Sequence, residues 1–232
     1  MAETILSRET LAENLETVIQ RIEAARIRVS EHHIVRMVVV SKYTAVENIA
    51  TLYDLGQRAF GENRVQQLEE RMQRLEDLPL EWHMIGRLQK NKINKLIELN
   101  PFLLHSLDSI ELAEALNKRL EAKGKTMECL LQINSAREES KAGVSPEAGV
   151  ETYREILERF PGIRLRGVMT IGAHTEEQKT VRESFRTTRK IFDALQKEGA
   201  EICSMGMSGD FELAIECGST MVRIGSALFR EA

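Results

Sequence analysis

The chain has 232 residues, of which 42% are hydrophobic and 29% are charged. These are the proportions of a soluble globular protein, and the length suits a single large domain over residues 1–232. The formal net charge of −4 argues against general nucleic-acid binding, because a protein that binds the phosphate backbone needs an excess of positive charge.

The cysteines and the first residues of the chain predict the cellular compartment. The chain has 3 cysteines, none in a C-x-x-C pair, which is typical of core residues in a reducing compartment. The segment 1–16 is charged and lacks the apolar core of a signal peptide. No apolar run approaches the roughly 20 residues that a membrane helix needs. We therefore expect a cytoplasmic protein without a membrane partner.

The first predicted element is a long amphipathic helix over about residues 7–31, in which Leu11, Leu15, Val18 and Ile22 recur at spacings of three and four. After it, strand and helix patterns alternate along the chain. We predict strands over residues 35–42, 58–62, 81–86, 103–108, 129–134, 165–171, 202–207 and 221–229. We predict helices over residues 46–55, 65–75, 88–99, 110–122, 146–160, 176–197 and 211–216.

This alternation predicts an α/β fold, a TIM-type (β/α)8 barrel with an extra N-terminal helix. Successive predicted strand centres are separated by roughly 20 to 37 residues, which is enough for a helical crossover between parallel neighbours. Eight such units close a barrel. Because no predicted helix follows the eighth strand, we expect the N-terminal helix to cover the place of a last helix.

A lysine ends the first predicted strand. Residues 37–40 form an apolar run typical of a strand buried on both faces, and Ser41 and Lys42 come next. Functional groups collect at the carboxyl ends of barrel strands, although a lysine there also commonly serves only to solubilise a loop. The residues that we expect at this mouth of the barrel are Lys42, Glu62, Asn63, His83, Gly86, Asp108, Asn134, the run 204–208, Arg223, Gly225 and Ser226.

Two glycine-rich loops follow the last two predicted strands. They are the runs 204–210, of sequence SMGMSGD, and 218–226, of sequence GSTMVRIGS. A phosphate group needs bare backbone N–H donors, close approach and a hydroxyl donor, which glycine and serine supply. The loops after strands seven and eight are also the usual phosphate site of this barrel type. Together they predict a phosphate site, whereas either loop alone is also explained by a tight turn.

An amine at one strand end and a phosphate site across the same mouth suggest a cofactor with both an aldehyde and a phosphate. Pyridoxal 5′-phosphate (PLP) has these two groups, and enzymes bind it as a Schiff base on a lysine. Arg223 lies on the last predicted strand, shortly before Gly225. We expect it to reach the pyridine nitrogen of such a cofactor.

Six stretches of the sequence carry a resemblance to a known family. They are 39–42 (VVSK), 60–63 (FGEN), 82–92 (WHMIGRLQKNK), 140–143 (SKAG), 205–210 (MGMSGD) and 219–226 (STMVRIGS). In these motifs and in their order, the chain resembles the pyridoxal phosphate homeostasis proteins, which are single-domain relatives of the barrel domain of alanine racemase. The resemblance extends from about residue 7 to residue 229.

The resemblance implies roles for the residues at the predicted mouth. Lys42 would hold PLP as a Schiff base, and Arg223 would face the pyridine nitrogen. The phosphate would be bound by Ser208, Gly225 and Ser226.

Further implications concern the ring pocket and the partners of the protein. Asn63 and Met207 would line the ring. The family analogy assigns no role to His83 or to the basic segment 90–95. It implies a protein of intracellular PLP (vitamin B6) homeostasis that is a monomer or weak dimer, with PLP-dependent apoenzymes as candidate partners.

The residues favour a carrier over an enzyme. An arginine at the pyridine nitrogen keeps that nitrogen unprotonated, so the ring is a poor electron sink for transamination. Racemisation needs two bases, and in alanine racemase the second is a tyrosine from a further domain. The tyrosines here are Tyr43, beside the lysine, and Tyr53 and Tyr153, within predicted helices. We therefore predict a non-catalytic protein that stores, protects or delivers PLP, with a weakly active PLP-dependent amino-acid racemase as the alternative.

A third alternative is a binding module that presents a basic helix face to RNA or to an acidic partner. Arg87, Lys90, Lys92 and Lys95 would form part of that face. Isolated basic helix faces are usually solvated, so we expect no nucleic-acid partner. No set of histidines and cysteines has the spacing of a metal site, and we expect no metal.

Overall fold

The computed structural model describes residues 4–138 and 141–231. Over these ranges the chain forms a closed barrel of eight parallel strands, hydrogen-bonded in the order β1 to β8, which confirms the predicted (β/α)8 fold. The strands are β1 Arg36–Val40, β2 Ala59–Glu62, β3 Glu81–Met84, β4 Leu103–Leu107, β5 Met127–Gln132, β6 Ile163–Met169, β7 Ile202–Ser204 and β8 Met221–Ile224. The α-helices are α1 Arg8–Val29, α2 Val46–Asp54, α3 Val65–Arg74, α4 Ile93–Leu99, α5 Ile110–Ala122, α6 Gly149–Arg159, α7 Gln178–Leu195 and α8 Phe211–Glu216.

The barrel closes between its first and last strands. Val38 of β1 pairs in parallel with Arg223 of β8. This register places the turn that contains Lys42, just after β1, beside the turn that follows Ile224. Residues from near the two ends of the chain therefore become neighbours at the carboxyl end of the barrel.

The extra N-terminal helix packs against the outside of the barrel, mainly on α8. Arg21 Nε of α1 contacts Glu212 Oε1 of α8 at 2.6 Å. The buried face of α1 consists of the apolar side chains Leu11, Leu15, Val18, Ile22 and Ala25. Although α1 has 22 residues, neither it nor any other helix in the described ranges is long and apolar enough to cross a membrane.

Every strand except β2 ends earlier than predicted, by one to five residues. At the predicted site, β1, β7 and β8 end at Val40, Ser204 and Ile224. Beyond β8 the apolar pattern continues because Leu228 is buried in a turn, where its N–H donates to Gly225 O at 2.9 Å. The predicted site residues that follow these strands therefore lie on turns, where their backbone N–H groups are not committed to a sheet.

The interior of the barrel contains polar as well as apolar side chains. His83, His105, Ser204 and Arg223 are all buried at inward-facing positions of their strands. Barrel interiors are normally filled by bulky branched residues, and buried polar groups need hydrogen-bond partners. The apolar side chains beside them form a small cluster of Val38, Leu103, Leu130, Met169 and Met221.

Candidate functional site

Lys42 lies in the turn that follows β1, at the carboxyl end of the barrel. Gln67 on α3 holds the backbone of this turn, because its Nε2 donates to the carbonyl oxygen of Lys42 at 2.7 Å. The Lys42 Nζ lies 4.9 Å from the centroid of the Tyr43 ring. The main chain that carries the amine is thus fixed by the neighbouring β/α unit.

A buried ion pair lies beneath the Lys42 turn. Arg71 Nε is 2.9 Å from Glu62 Oε1, and both side chains are almost completely buried. Glu62 Oε1 also accepts a hydrogen bond from Ser41 Oγ at 2.6 Å, and Arg71 Nη2 donates to the Thr44 carbonyl oxygen at 2.8 Å. Glu62, predicted at the mouth of the barrel, therefore supports the Lys42 turn from beneath.

The loops after β7 and β8 are joined through one hydroxyl group. Ser208 Oγ accepts hydrogen bonds from the backbone N–H groups of Gly225, at 3.1 Å, and Ala227, at 3.3 Å. Asp210 Oδ1 accepts from the N–H of Met207 at 2.6 Å and closes the first of the two loops. Backbone N–H donors that converge on one oxygen are also the arrangement that binds anions. We call Ser208, Gly225 and Ala227 the donor cradle.

Gly225 allows the donor cradle to approach the end of β1 closely. A Cβ atom at this position would lie 3.3 Å from both the Cβ and the carbonyl oxygen of Val40. Because that contact is tighter than most Cβ contacts, a side chain here would push the cradle away from the Lys42 turn. The glycine therefore determines the distance between the two sides of the site.

Arg223 is the buried cation of the site. Its Nη1 donates to Ser204 Oγ at 2.6 Å, and its Nη2 donates to the Thr170 carbonyl oxygen at 2.8 Å. Burial lowers the pKa of Arg223 to about 10, and the Asp210 carboxylate acts in the opposite direction. The guanidinium stays charged at neutral pH, and it carries more N–H donors than these two bonds use.

The amine, the guanidinium and two residues of the donor cradle, Ser208 and Gly225, line one cleft of about 550 Å³. Its lining includes every residue predicted to bind the cofactor except Asn63. That residue lies after β2 against Gly86, where an added Cβ would come within 2.1 Å of the Asn63 carbonyl oxygen. The role of Asn63 stays a prediction. The lining residues are Val40, Lys42, Tyr43, Met207, Ser208, Gly209, Arg223, Gly225, Ser226 and Phe229.

A second, smaller cleft of about 270 Å³ lies elsewhere at the same end of the barrel. Lys141 projects into it and donates from Nζ to Glu138 Oε1 at 2.8 Å and to Gly172 O at 3.0 Å. Ser140, the first residue of the 140–143 motif, lies outside the described residues. The lining of this cleft includes Gly86, Gln132, Asn134, Lys141 and Thr170.

His83 and His105 form a buried pair that was not predicted. The prediction that His83 lies at the mouth is wrong: it is inside the barrel, with Nδ1 2.8 Å from His105 Nε2. His83 Nε2 is 3.0 Å from Glu81 Oε1, and His105 Nδ1 is 3.2 Å from Ser204 Oγ. Burial is the main cause that lowers the pKa of both histidines, so both are neutral at pH 7.

Among the residues that the structure describes, no His, Cys, Asp or Glu cluster could hold a metal ion.

The basic residues near α4 do not form one continuous helix face. A 3-10 helix, Lys90–Lys92, precedes α4, so the predicted helix is wrong in its first turn. Arg87 Nε lies 3.6 Å from Asp108 Oδ2, and Lys95 forms an ion pair with Glu69. Two of the cations proposed for nucleic-acid binding are therefore paired with carboxylates.

Comparison with known proteins gives the family of the chain. The family model described as alanine racemase, N-terminal domain, matches residues 8–232. A Helicobacter pylori (strain J99) protein named pyridoxal phosphate homeostasis protein is 54% identical over 219 residues, which cover 94% of this chain and 98% of that protein. The chain belongs to the pyridoxal phosphate homeostasis protein family. The resemblance inferred from its motifs is thereby confirmed.

Two more relatives show how far the likeness extends. The Aquifex aeolicus protein of the same name is 40% identical over 223 residues, covering 94% of this chain and 97% of that protein. The solved structure of PipY from Synechococcus elongatus, with PLP bound, has a TM-score of 0.79 and 32% identity. It covers 95% of this chain and 100% of that chain, so the whole barrel is shared.

Proposed function

We propose that this protein binds PLP in the cleft between the Lys42 turn and the donor cradle, with a Schiff base on Lys42. The observation that carries the proposal is that one cleft is lined by an amine, a buried guanidinium and two residues of the donor cradle, Ser208 and Gly225. The solved relative with PLP bound, and the relatives named for PLP homeostasis, support the same ligand here.

The groups of the cleft fit the functional parts of PLP. When bound, PLP supplies an aldehyde that condenses with a primary amine and a ring that withdraws electrons. In the donor cradle, a phosphate oxygen would take the place of Ser208 Oγ as the acceptor of the Gly225 and Ala227 N–H groups and would accept from the Ser208 hydroxyl. Arg223 offers N–H donors to a ring nitrogen, and Lys42 offers the amine. The cleft volume of about 550 Å³ lies in the range of small-molecule sites.

Arg223 would keep the ring nitrogen that it faces unprotonated. Its pKa of about 10 leaves it charged at neutral pH, so it donates an N–H while the nitrogen remains an acceptor. A ring in that state withdraws electrons less strongly than one protonated by a neighbouring carboxylate. The arrangement therefore favours holding the cofactor over transamination.

The described residues that line the cleft include no second acid–base group opposite Lys42. Tyr43 is 76% exposed and lies on the same turn as Lys42. Tyr53 lies on α2, and Tyr153 is buried in α6. Moving a proton on both faces of a bound amino acid needs two such groups. We therefore infer a non-catalytic protein that stores, protects or delivers PLP.

An amino-acid racemase with weak activity is the second candidate. The match of residues 8–232 to the N-terminal domain of alanine racemase favours it, as would an arginine that faces the ring nitrogen. It would need Lys42 to serve as the single base, and its rate would be correspondingly low.

We further propose that PLP-dependent apoenzymes in the cytoplasm are the partners of the protein, and that it acts as a monomer or weak dimer. The rim of the cleft supports exchange of a ligand with such partners. Tyr43 and Met207, on opposite sides of the cleft, are 76% and 40% exposed. Exposed aromatic and methionine side chains around a binding cleft suit transient contact with another protein.

Absorbance spectroscopy with matched variants tests the proposed function. On titration with PLP, the protein is expected to develop the visible band of a Schiff base, and Lys42→Ala is expected to lack it. Lys90→Ala is the control, because Lys90 is an exposed lysine outside the cleft, and its band is expected to equal that of the parent protein. An undiminished band in Lys42→Ala would overturn the proposal.

A further inference from the structure

We propose that Ser204, His105, His83 and Glu81 are positioning residues for Arg223, joined to it in one line of hydrogen bonds through the barrel interior. The inference rests on the proposed function, because it concerns how Arg223 meets the ring nitrogen of PLP. Of the described residues that line the cleft, none belongs to this group, so these residues act on the ligand only through Arg223.

The line crosses the barrel from β8 and β7 to β4 and β3. Arg223 Nη1 is 2.6 Å from Ser204 Oγ, which is 3.2 Å from His105 Nδ1. His105 Nε2 is 2.8 Å from His83 Nδ1, and His83 Nε2 is 3.0 Å from Glu81 Oε1. Each link is within hydrogen-bond distance, and the middle members are completely buried.

All hydrogen bonds of this line are donated in the same direction, from Arg223 toward Glu81. Arg223 only donates, so Ser204 Oγ accepts from it and has its own hydrogen left for His105 Nδ1. A neutral His105 then carries its proton on Nε2 and donates to His83 Nδ1. A neutral His83 likewise carries its proton on Nε2 and donates to the Glu81 carboxylate, which only accepts. Each link therefore fixes the tautomer of the next residue.

The two ends of the line carry opposite charges. Arg223 is the buried cation, and within the described chain its N–H groups donate to a hydroxyl and a carbonyl oxygen rather than to a carboxylate. Glu81, at the far end, is partly exposed and also contacts Arg36 Nη2 at 3.1 Å. A chain of dipoles that points toward a carboxylate compensates the buried positive charge of Arg223. The more distant Asp210 carboxylate also stabilises this charge.

The line fixes the direction of the N–H groups that Arg223 presents to the cleft. The guanidinium is planar, and two of its N–H groups are held, one by Ser204 and the other by the Thr170 carbonyl oxygen. With both bonds in place the remaining donors have one orientation. Loss of the Ser204 hydroxyl would release one bond and loosen recognition of the ring nitrogen, while the donor cradle and Lys42 would be unaffected.

A pair of ligands that differ only at the ring nitrogen separates positioning from general structural support. PLP and its 1-deaza analogue, in which C–H replaces that nitrogen, are titrated by calorimetry into the parent protein, Ser204→Ala and His105→Leu. For PLP we expect Ser204→Ala to bind about tenfold more weakly, because a hydrogen bond that holds a charged donor is lost. For the analogue we expect the affinity of Ser204→Ala to equal that of the parent protein.

Ser106→Ala is the matched control. Ser106 is a buried serine beside His105 on β4, but its hydroxyl donates to the Gly86 carbonyl oxygen at 2.6 Å and is not part of the line. We expect this variant to bind both ligands as the parent protein does.

The outcomes distinguish this inference from the proposed function. Equal losses for the two ligands in Ser204→Ala, or no loss for either, would overturn the inference. His105→Leu removes the hydrogen bond between Ser204 and His105. If thermal unfolding shows that Ser204→Ala has not folded, the affinities of His105→Leu for PLP and for the 1-deaza analogue are compared in its place. Absence of a Lys42-dependent Schiff base in the parent protein would instead overturn the proposed function.

Discussion

The backbone N–H of Gly225 donates a hydrogen bond to Ser208 Oγ at 3.1 Å, and this bond joins the loop after β8 to the loop after β7. The two residues are 17 positions apart in the sequence. Closure of the barrel then places β8 beside β1, so the donor cradle faces the turn that carries Lys42. An amine from the first β/α unit and an anion site from the last two thus become the two sides of one cleft.

The donor cradle predicts a phosphate-specific effect of Ser208→Ala. The substitution removes the hydroxyl that holds the N–H groups of Gly225 and Ala227 together. We expect the affinity for PLP to fall about tenfold, in line with loss of one hydrogen bond to a charged group, and the affinity for pyridoxal to stay the same because pyridoxal has no phosphate. Calorimetric titration of both ligands measures this. Equal loss for both would place the phosphate elsewhere.

The buried ion pair predicts a large loss of stability for Arg71→Met. We expect the free energy of unfolding in urea to fall by about 3–5 kcal/mol, because the buried Glu62 carboxylate loses the ion pair with Arg71. Arg74→Met is the control, since Arg74 lies on the same helix but is half exposed in its ion pair with Glu47, and we expect a change below about 1 kcal/mol. Similar changes in the two variants would contradict a large contribution of the buried pair to stability.

The buried histidines predict that stability falls in mild acid. Burial lowers the pKa of His83 and His105 in the folded protein, whereas in the unfolded chain the pKa of a histidine is about 6.5. Below that pH the unfolded chain binds more protons than the folded one. The free energy of unfolding should therefore rise with pH up to this value and then level off, with a slope of up to about 1.4 kcal/mol per pH unit for each histidine.

Urea unfolding at a series of pH values measures this dependence. Glu81 stays ionised across the series because its hydrogen bond with His83 lowers its pKa, and the difference in slope between the parent protein and His105→Leu reports the buried histidine. We expect His105→Leu to have a shallower slope than the parent protein. A parent protein whose stability does not change between about pH 5 and 7 would contradict the assignment of two neutral imidazoles.

The absence of a second acid–base group among the described lining residues predicts no ordinary racemase activity. With PLP bound, we expect incubation with single enantiomers of alanine or serine to give turnover far below about 1 per second. Chiral chromatography of the products measures this. Turnover at or above that rate that disappears in Lys42→Ala would favour the racemase and dismiss the carrier.

The barrel and most of the cleft were predictable because they follow from local patterns. The apolar run before Lys42 and the glycine loops around Ser208 and Gly225 each mark the end of a strand, and closure of the barrel brings such ends together. The same reasoning failed at the end of β8. Leu228 is buried without being paired in a strand, and an apolar pattern reports burial rather than backbone pairing.

The line of hydrogen bonds behind Arg223 was not predictable. His83 and His105 are 22 positions apart, and their contact depends on the register of β3 on β4, in which His83 pairs with Leu103. No periodicity in the sequence fixes that register. The available signal was that both histidines fall at inward-facing positions of adjacent strands, where a polar residue needs a partner.

Reductive trapping with peptide mapping is the most direct test of a Schiff base on Lys42. Borohydride reduces the imine between PLP and a lysine to a stable secondary amine, so the labelled peptide identifies the lysine. After loading with PLP and reduction, we expect one labelled peptide, which contains Lys42, and no such label in Lys42→Ala. A label confined to another lysine, such as Lys141, or PLP that binds without any label, would contradict the proposed site.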